Sequence, residues 1–148
     1  MTRPFIEHVN LTVSDPDRTA AILSAIFGWH ERWRGPARDG GRTIHLGSEA
    51  AYVALYTGRD GQHAGAQYSK GAPLNHIGVQ VDDLDVIEGR VKAVGLVPFE
   101  HGDYEPGRRF YFFDPDGIEY EVVSYAEQKT TLSRATYERL SRLDVMLK

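Results

Sequence analysis

The chain has 148 residues, 41% hydrophobic and 26% charged, a size at which one compact domain buries roughly 68–70% of its unfolded surface. Its formal net charge of −4 argues against nucleic acid or an anionic membrane as partner. The absence of cysteine excludes a disulfide framework, a thiolate metal cluster and a cysteine nucleophile. A domain this long needs no metal staple, so a metal site here would serve chemistry. The opening MTRPFIEHVNLTV holds no apolar run of signal-peptide length, and nothing approaches the ~20 apolar residues of a membrane span. The expectation is a soluble, cytoplasmic protein.

Read in chain order, the first element is the alternating segment HVNLTVSD at 8–15, which returns 68 residues later as HIGVQVDD at 76–83. Each copy opens on a histidine and places an aspartate seven positions on, where a helix N-cap belongs. Pro16, a favoured first helical residue, follows Asp15, and Leu84 follows Asp83. Apolar residues then recur at helical spacing, Ile22, Ile26 and Phe27 in one copy and Leu84, Ile87, Val91 and Val94 in the other. Both runs stop at a glycine, Gly28 and Gly95. Three short strands follow each glycine: about 29–33, 42–46 and 51–56, then about 96–101, 108–113 and 118–123. GPARDGG, GDYEPG and DPDG read as the turns between them.

The fold expected is α+β: two tandem β-α-β-β-β modules forming a cupped, partly closed mixed sheet with helices outside, plus a C-terminal helix. Module one spans 4–56, a glycine-rich linker 57–73, module two 74–125 and a helical tail 130–148, all within a single domain covering 1–148. Leu140, Leu143 and Leu147 give the tail one apolar stripe, suited to packing on the domain or on a second chain. Alternation sends Val9, Leu11 and Val13 to the helix and leaves His8, Asn10 and Thr12 on the inner face. His76, Gly78 and Gln80 match them in the second copy. Glu121 lies 26 residues after Gly95 and faces the cup beside Glu119, whereas the same count from Gly28 reaches Ala54, flanked by Tyr52 and Tyr56. A carboxylate facing an enclosed cavity is costly unless a cation meets it. His8, His76 and Glu121 form a two-histidine, one-carboxylate set suited to a divalent ion such as Fe(II), Mn(II) or Zn(II).

The repeated modules, the strand-opening histidines and FYFFDPDGIEYE at 110–121 resemble the vicinal oxygen chelate superfamily over about residues 4–124. That superfamily includes glyoxalase I, bleomycin-resistance proteins, fosfomycin-resistance transferases and extradiol dioxygenases. The resemblance implies that His8, His76 and Glu121 bind a divalent metal, with Fe(II) favoured over Zn, Mn or Ni. Glyoxalase-like members carry a fourth ligand where this chain has Ala54, which argues against their proton shuttle. Three ligands leave an octahedral ion about three positions for two substrate oxygens and a third molecule. Tyr111, ten residues before Glu121, matches a tyrosine that hydrogen-bonds the chelated substrate in extradiol enzymes. His101 and Asp103 resemble the acid–base pair of those enzymes, and Arg109 with Arg108 suits an anionic group.

His45, midway along a module-one strand, is a further proton-handling candidate beside Tyr111 and His101. Asn10, Tyr52, Ala54, Tyr56 and Arg109 are the expected pocket lining. The reading is a metalloenzyme of dioxygenase-like chemistry on a small substrate, such as catechol ring cleavage. The alternatives are a glyoxalase-type lyase or isomerase or a thiol transferase, and a metal-free protein that sequesters aromatic drugs. Dimers are usual in the family, so a homodimer is expected.

Overall fold

A computed structural model describes residues 4–38, 40–59, 74–104 and 106–125. Module one comprises β1 (His8–Thr12), α1 (Pro16–Phe27), β2 (His30–Pro36), β3 (Arg42–Gly47) and β4 (Tyr52–Thr57). Module two repeats the order with β5 (Ile77–Gln80), α2 (Leu84–Ala93), β6 (Phe99–Tyr104), β7 (Gly107–Phe113) and β8 (Glu119–Ser124). The fold is therefore α+β with two β-α-β-β-β units. The expected linker at 57–73 starts one residue inside β4, and its residues 60–73 lie outside the described part, as does the tail from 126 on. Among the described residues no helix is long and apolar enough to cross a membrane.

Both helices start as their capping residues dictate. The Asp15 carboxylate accepts from the backbone N–H groups of Asp17 and Arg18, and Pro16 occupies the first turn, where no N–H is required. Asp83 accepts from the N–H of Val86 at 3.1 Å. Gly28 takes φ 70°, a left-handed conformation that only glycine adopts without strain, and its N–H closes α1 on the Ser24 carbonyl.

Each unit forms a four-stranded sheet, in the orders β1-β4-β3-β2 and β5-β8-β7-β6. The first strand of each runs parallel to the fourth, and the other pairs are antiparallel. One face of each sheet is packed by its own helix. Leu11, Val13, Ile44, Leu46 and Leu55 lie beneath Leu23 and Ile26 of α1, and Phe110, Phe112, Tyr120 and Val122 lie beneath Ile87 and Val91 of α2. The two cores merge where Phe27 meets Phe112 and Tyr120, and Arg90 of α2 donates to the Ile26 carbonyl at 3.2 Å. β1 and β5 are outer strands, and no strand ladder joins the two sheets among the described residues.

Three local departures from the sequence expectation have physical causes. Val9 was expected against α1 but is 37% exposed, because β1 is an outer strand and the core begins at Leu11. β2 continues through Gly35 and Pro36, which an outer strand tolerates because one side of its backbone needs no ladder partner. β6 starts at Phe99 and runs through Tyr104, with an irregularity in its first half. Phe99 pairs with Tyr111 and Gly102 with Arg109, so Glu100 and His101 together oppose Phe110. Glu100 has φ 48°, and this extra residue is a β-bulge.

The turn between β7 and β8 is built on two buried aspartates. Asp114 Oδ1 accepts from the N–H groups of Asp116 and Ile118, both at 2.9 Å. Asp116 Oδ2 accepts from the N–H of Ser14, just before α1, tying the turn of one module to the other. Burial pushes the Asp114 carboxyl up to about 6. A carboxyl raised on folding holds its proton more tightly in the folded state, so its contribution is greatest at low pH and is lost as pH rises through about 6. Asp114→Asn keeps an oxygen for both N–H groups and removes that penalty. It is expected to be near neutral at pH 4 and to stabilise by roughly 1–3 kcal/mol at pH 7. Urea unfolding at the two pH values checks this, and an equal effect at both would contradict it.

Candidate functional site

In module two the pleat that sends Tyr120 and Val122 into the core turns Glu121 to the opposite, open face of the sheet. The β7 register sets Tyr111 directly across from Glu121, with Arg109 two residues along on the same face. His76 immediately precedes β5, whose Gly78 pairs with Glu121. These four side chains meet. His76 Nε2 lies 3.0 Å from Glu121 Oε2, and Arg109 Nη1 donates to Glu121 Oε1 at 2.8 Å. The Glu121 and Arg109 side chains are each only 13% exposed. The Tyr111 ring stands edge-on to His76, 6.0 Å between centroids. Burial raises the Tyr111 hydroxyl above its ordinary pKa and the Glu121 charge adds to this, so it remains a neutral phenol and a proton donor at neutral pH.

Module one presents a different open face. Tyr52 pairs in register with His8, and Ala54 with both Asn10 and His45. The Tyr52 ring stacks with His8 at 5.0 Å and with His45 at 4.6 Å, while Trp33 leans on His45 at 5.0 Å. The Arg32 guanidinium lies over Tyr52 at 4.6 Å. Ala54 sits at 2% exposure between Asn10 and His45, and Tyr56 pairs with Thr12 and Thr43 on the same face. Burial, reinforced by His8, lowers the His45 pKa below the ordinary imidazole value, so the ring is neutral and able to take a proton.

A duplicated device orients the two strand-opening histidines. His8 Nδ1 is 2.5 Å from Glu7 Oε2, and His76 Nδ1 is 2.7 Å from Asn75 Oδ1. An Nδ1–H donated to the preceding residue fixes the tautomer and turns Nε2 forward, the usual outer support of a metal-ligating histidine. The sequence reading missed Glu7 and Asn75. They occupy matching positions 68 residues apart, but they differ in type, so the repeat itself did not mark them.

His101 is a correction. The bulge turns it to the helix side of the sheet, where its Nε2 is 3.2 Å from Glu88 of α2 and its ring stacks on the core residue Phe110. It is thus on the opposite face from Tyr111 and Glu121. Asp103 leaves with it, pairing in register with Arg108, which bonds Asp85 of α2.

His76, Glu121, Tyr111 and Arg109 therefore gather on one sheet, and His8, His45 and Tyr52 on the other. Among the described residues no three histidine, aspartate or glutamate side chains are close enough to hold one metal ion. Between the outer strands β1 and β5 runs a cleft of about 300 Å³, lined by Val9 and Val53 on one side and Ile77 and Val79 on the other.

The module-two pair fits a cation on two counts. An octahedral ion with bonds near 2.1 Å places adjacent ligands roughly 3.0 Å apart, which is the His76–Glu121 separation. With its Nδ1 toward the Asn75 side-chain oxygen, the His76 ring turns Nε2 to the carboxylate, so one nitrogen and one oxygen converge as a pair of donors to a cation. Arg109 also compensates the Glu121 charge. Glu121→Gln is expected to cost the chelator-treated protein about 1–3 kcal/mol by leaving the largely buried Arg109 cation without its counter-charge. Urea unfolding in excess chelator checks this; a change under about 0.5 kcal/mol would mean the pair contributes little.

Residues 5–122 match the family model described as Glyoxalase/Bleomycin resistance protein/Dioxygenase superfamily. No curated protein matches the sequence. Among solved structures, the glyoxylase/bleomycin resistance protein/dioxygenase domain from Frankia sp. EAN1pec superposes with a TM-score of 0.72 at 24% identity, covering 84% of this chain and 99% of that one. The antibiotic-binding protein TnmS3 from Streptomyces sp. CB03234 gives 0.63 at 18% identity, over 84% and 98%. The fosfomycin resistance protein FosX from Listeria monocytogenes, complexed with Mn(II) and sulfate, gives 0.64 at 20% identity, over 88% and 99%.

Proposed function

Because the chain belongs to the Glyoxalase/Bleomycin resistance protein/Dioxygenase superfamily, we propose that it is a divalent-metal-dependent enzyme holding a small substrate by two neighbouring oxygens. His8, His76 and Glu121 are the proposed ligands. The observation that carries this reading is His76 Nε2 facing Glu121 Oε2 at 3.0 Å while Nδ1 is tied to Asn75. His8, prepared in the same way by Glu7, stands apart from that pair. A second copy of this chain completes the set in the proposed assembly, with His8 of one subunit joining His76 and Glu121 of the other.

A divalent ion there would act as a Lewis acid on the chelated oxygens. The chain's own groups do the rest. Tyr111, a neutral phenol beside Glu121, donates a hydrogen bond to a substrate oxygen that gains negative charge. His45, held neutral, takes the proton the substrate gives up. Asn10, Tyr52, Ala54 and Tyr56 form the wall behind it, and Ala54 adds neither a ligand nor a proton-moving group to that wall. Within this reading the specific chemistry is dioxygenase-like cleavage of a catechol-type ring, with Fe(II) as the ion. TnmS3 and the stacked Tyr52, His8, His45 and Trp33 rings support a second reading, sequestration of a flat aromatic drug without metal.

Elemental mass spectrometry on untagged protein purified anaerobically distinguishes these. Near-stoichiometric iron supports ring cleavage, whereas manganese, nickel or zinc favours a lyase, isomerase or transferase. No metal uptake on titration, with chelator-insensitive binding of an aromatic drug, would favour sequestration. His8→Ala and His76→Ala are each expected to lose tight metal binding. If the site is shared, a heterodimer of His8→Ala with Glu121→Ala regains one intact site and binds about half a metal ion per chain. A heterodimer that binds none would place all three ligands within one chain.

A further inference from the structure

Arg109 is an unusual neighbour for a proposed metal ligand, since its positive charge opposes the ion that Glu121 would hold. The surrounding chain nevertheless fixes it there with care. The Tyr104 ring covers the guanidinium at 4.8 Å, and Nη2 reaches back to the Gly107 carbonyl at 3.5 Å. Gly102, directly opposite Arg109 in the ladder, makes room for that roof: a Cβ there would sit 2.5 Å from Tyr104 Cε1 and 3.4 Å from Arg109 Cγ. The bulge at Glu100 sets Gly102 and Tyr104 on this face at all. What the assembly achieves is specific. Nη1 occupies Glu121 Oε1 and leaves only Oε2 turned to His76.

We propose that Arg109 is a positioning residue that confines Glu121 to a single free oxygen, keeping a coordination position open for substrate. This rests on the metal-dependent reading above. A carboxylate with both oxygens free can chelate an ion in bidentate fashion and take up an extra position. Arg109 prevents that and also draws charge from the carboxylate, so the arrangement gives up metal affinity for an open site. Glu7 works in the opposite sense, since an acceptor behind a histidine makes it a better ligand.

The test is Mn(II) titration of chelator-treated full-length protein, followed by the electron paramagnetic resonance of free Mn(II) and by water-proton relaxation, which counts exchangeable bound water. Arg109→Met is expected to bind Mn(II) about tenfold or more tightly and to lose one exchangeable water. Arg109→Lys, which keeps the charge without the planar fork, should fall between it and the wild type. Tyr104→Leu loosens the roof without touching Glu121 and should shift both readouts the same way, less far. Glu7→Gln should weaken binding roughly 10–100-fold. Should Arg109→Met fail to fold, as judged by near-ultraviolet circular dichroism, Arg109→Lys and Tyr104→Leu still decide. A merely structural Arg109 would give weaker Mn(II) binding in these variants, and that result, or unchanged affinity and hydration, overturns the proposal alone. A wild type that binds no Mn(II) overturns it together with the metal-dependent reading.

Discussion

Glu121 carries a negative charge on a side chain that its neighbours leave little exposed, and the second module is arranged around compensating it. A carboxylate in that position needs cationic or donor partners at close range. One comes from β7 through Arg109, and the strand-opening His76 lies against the same carboxylate, so Glu121 ties the β7–β8 hairpin to the start of β5. The pleat that buries Tyr120 and Val122 is what aims Glu121 outward. Core packing and site geometry are thus two sides of one strand.

The two modules share a plan and differ in the chemistry of their open faces. Module two concentrates charge: an acid, a guanidinium and a phenol in mutual contact. Module one concentrates rings, with Tyr52 between two imidazoles and a tryptophan at 47% exposure beyond them. Where module two has Glu121, module one has Ala54 buried against His45 and Asn10. Among the described residues neither face alone holds three metal-binding side chains close together. The division suits a cavity in which one face manages charge and the other supports the flat body of a ligand.

Much of this was legible in the residues. Alternation, aspartate caps and helix-ending glycines each report a local backbone requirement, and their repetition after 68 residues gave the modules and their strand order. The same alternation set His8 and Glu121 on the face away from the helices, and Tyr111 was singled out by its spacing from Glu121. What could not be read was anything that depends on how strands meet. The division of His8 from His76 and Glu121 depends on how the modules pack, which no local pattern encodes. The burial of Val9 fails because the core starts two residues further along an outer strand. His101 was misplaced because a bulge breaks the period of two, and one inserted residue exchanges the faces of everything beyond it.

That inserted residue has a wider effect on the electrostatics of the molecule. In a strictly alternating β6, His101 would stand directly opposite Arg109, and Asp103 would share its face two residues further on, opposite Gly107. A second carboxylate within reach would compete with Glu121 for the guanidinium, and an added imidazole would compete with His76 for the acid. The bulge sends both groups to the helix side, where Glu88 takes the histidine and Arg108 faces the aspartate. A single extra residue thus acts as insulation, holding two titratable groups on the far side of the sheet from the one carboxylate whose partners matter most.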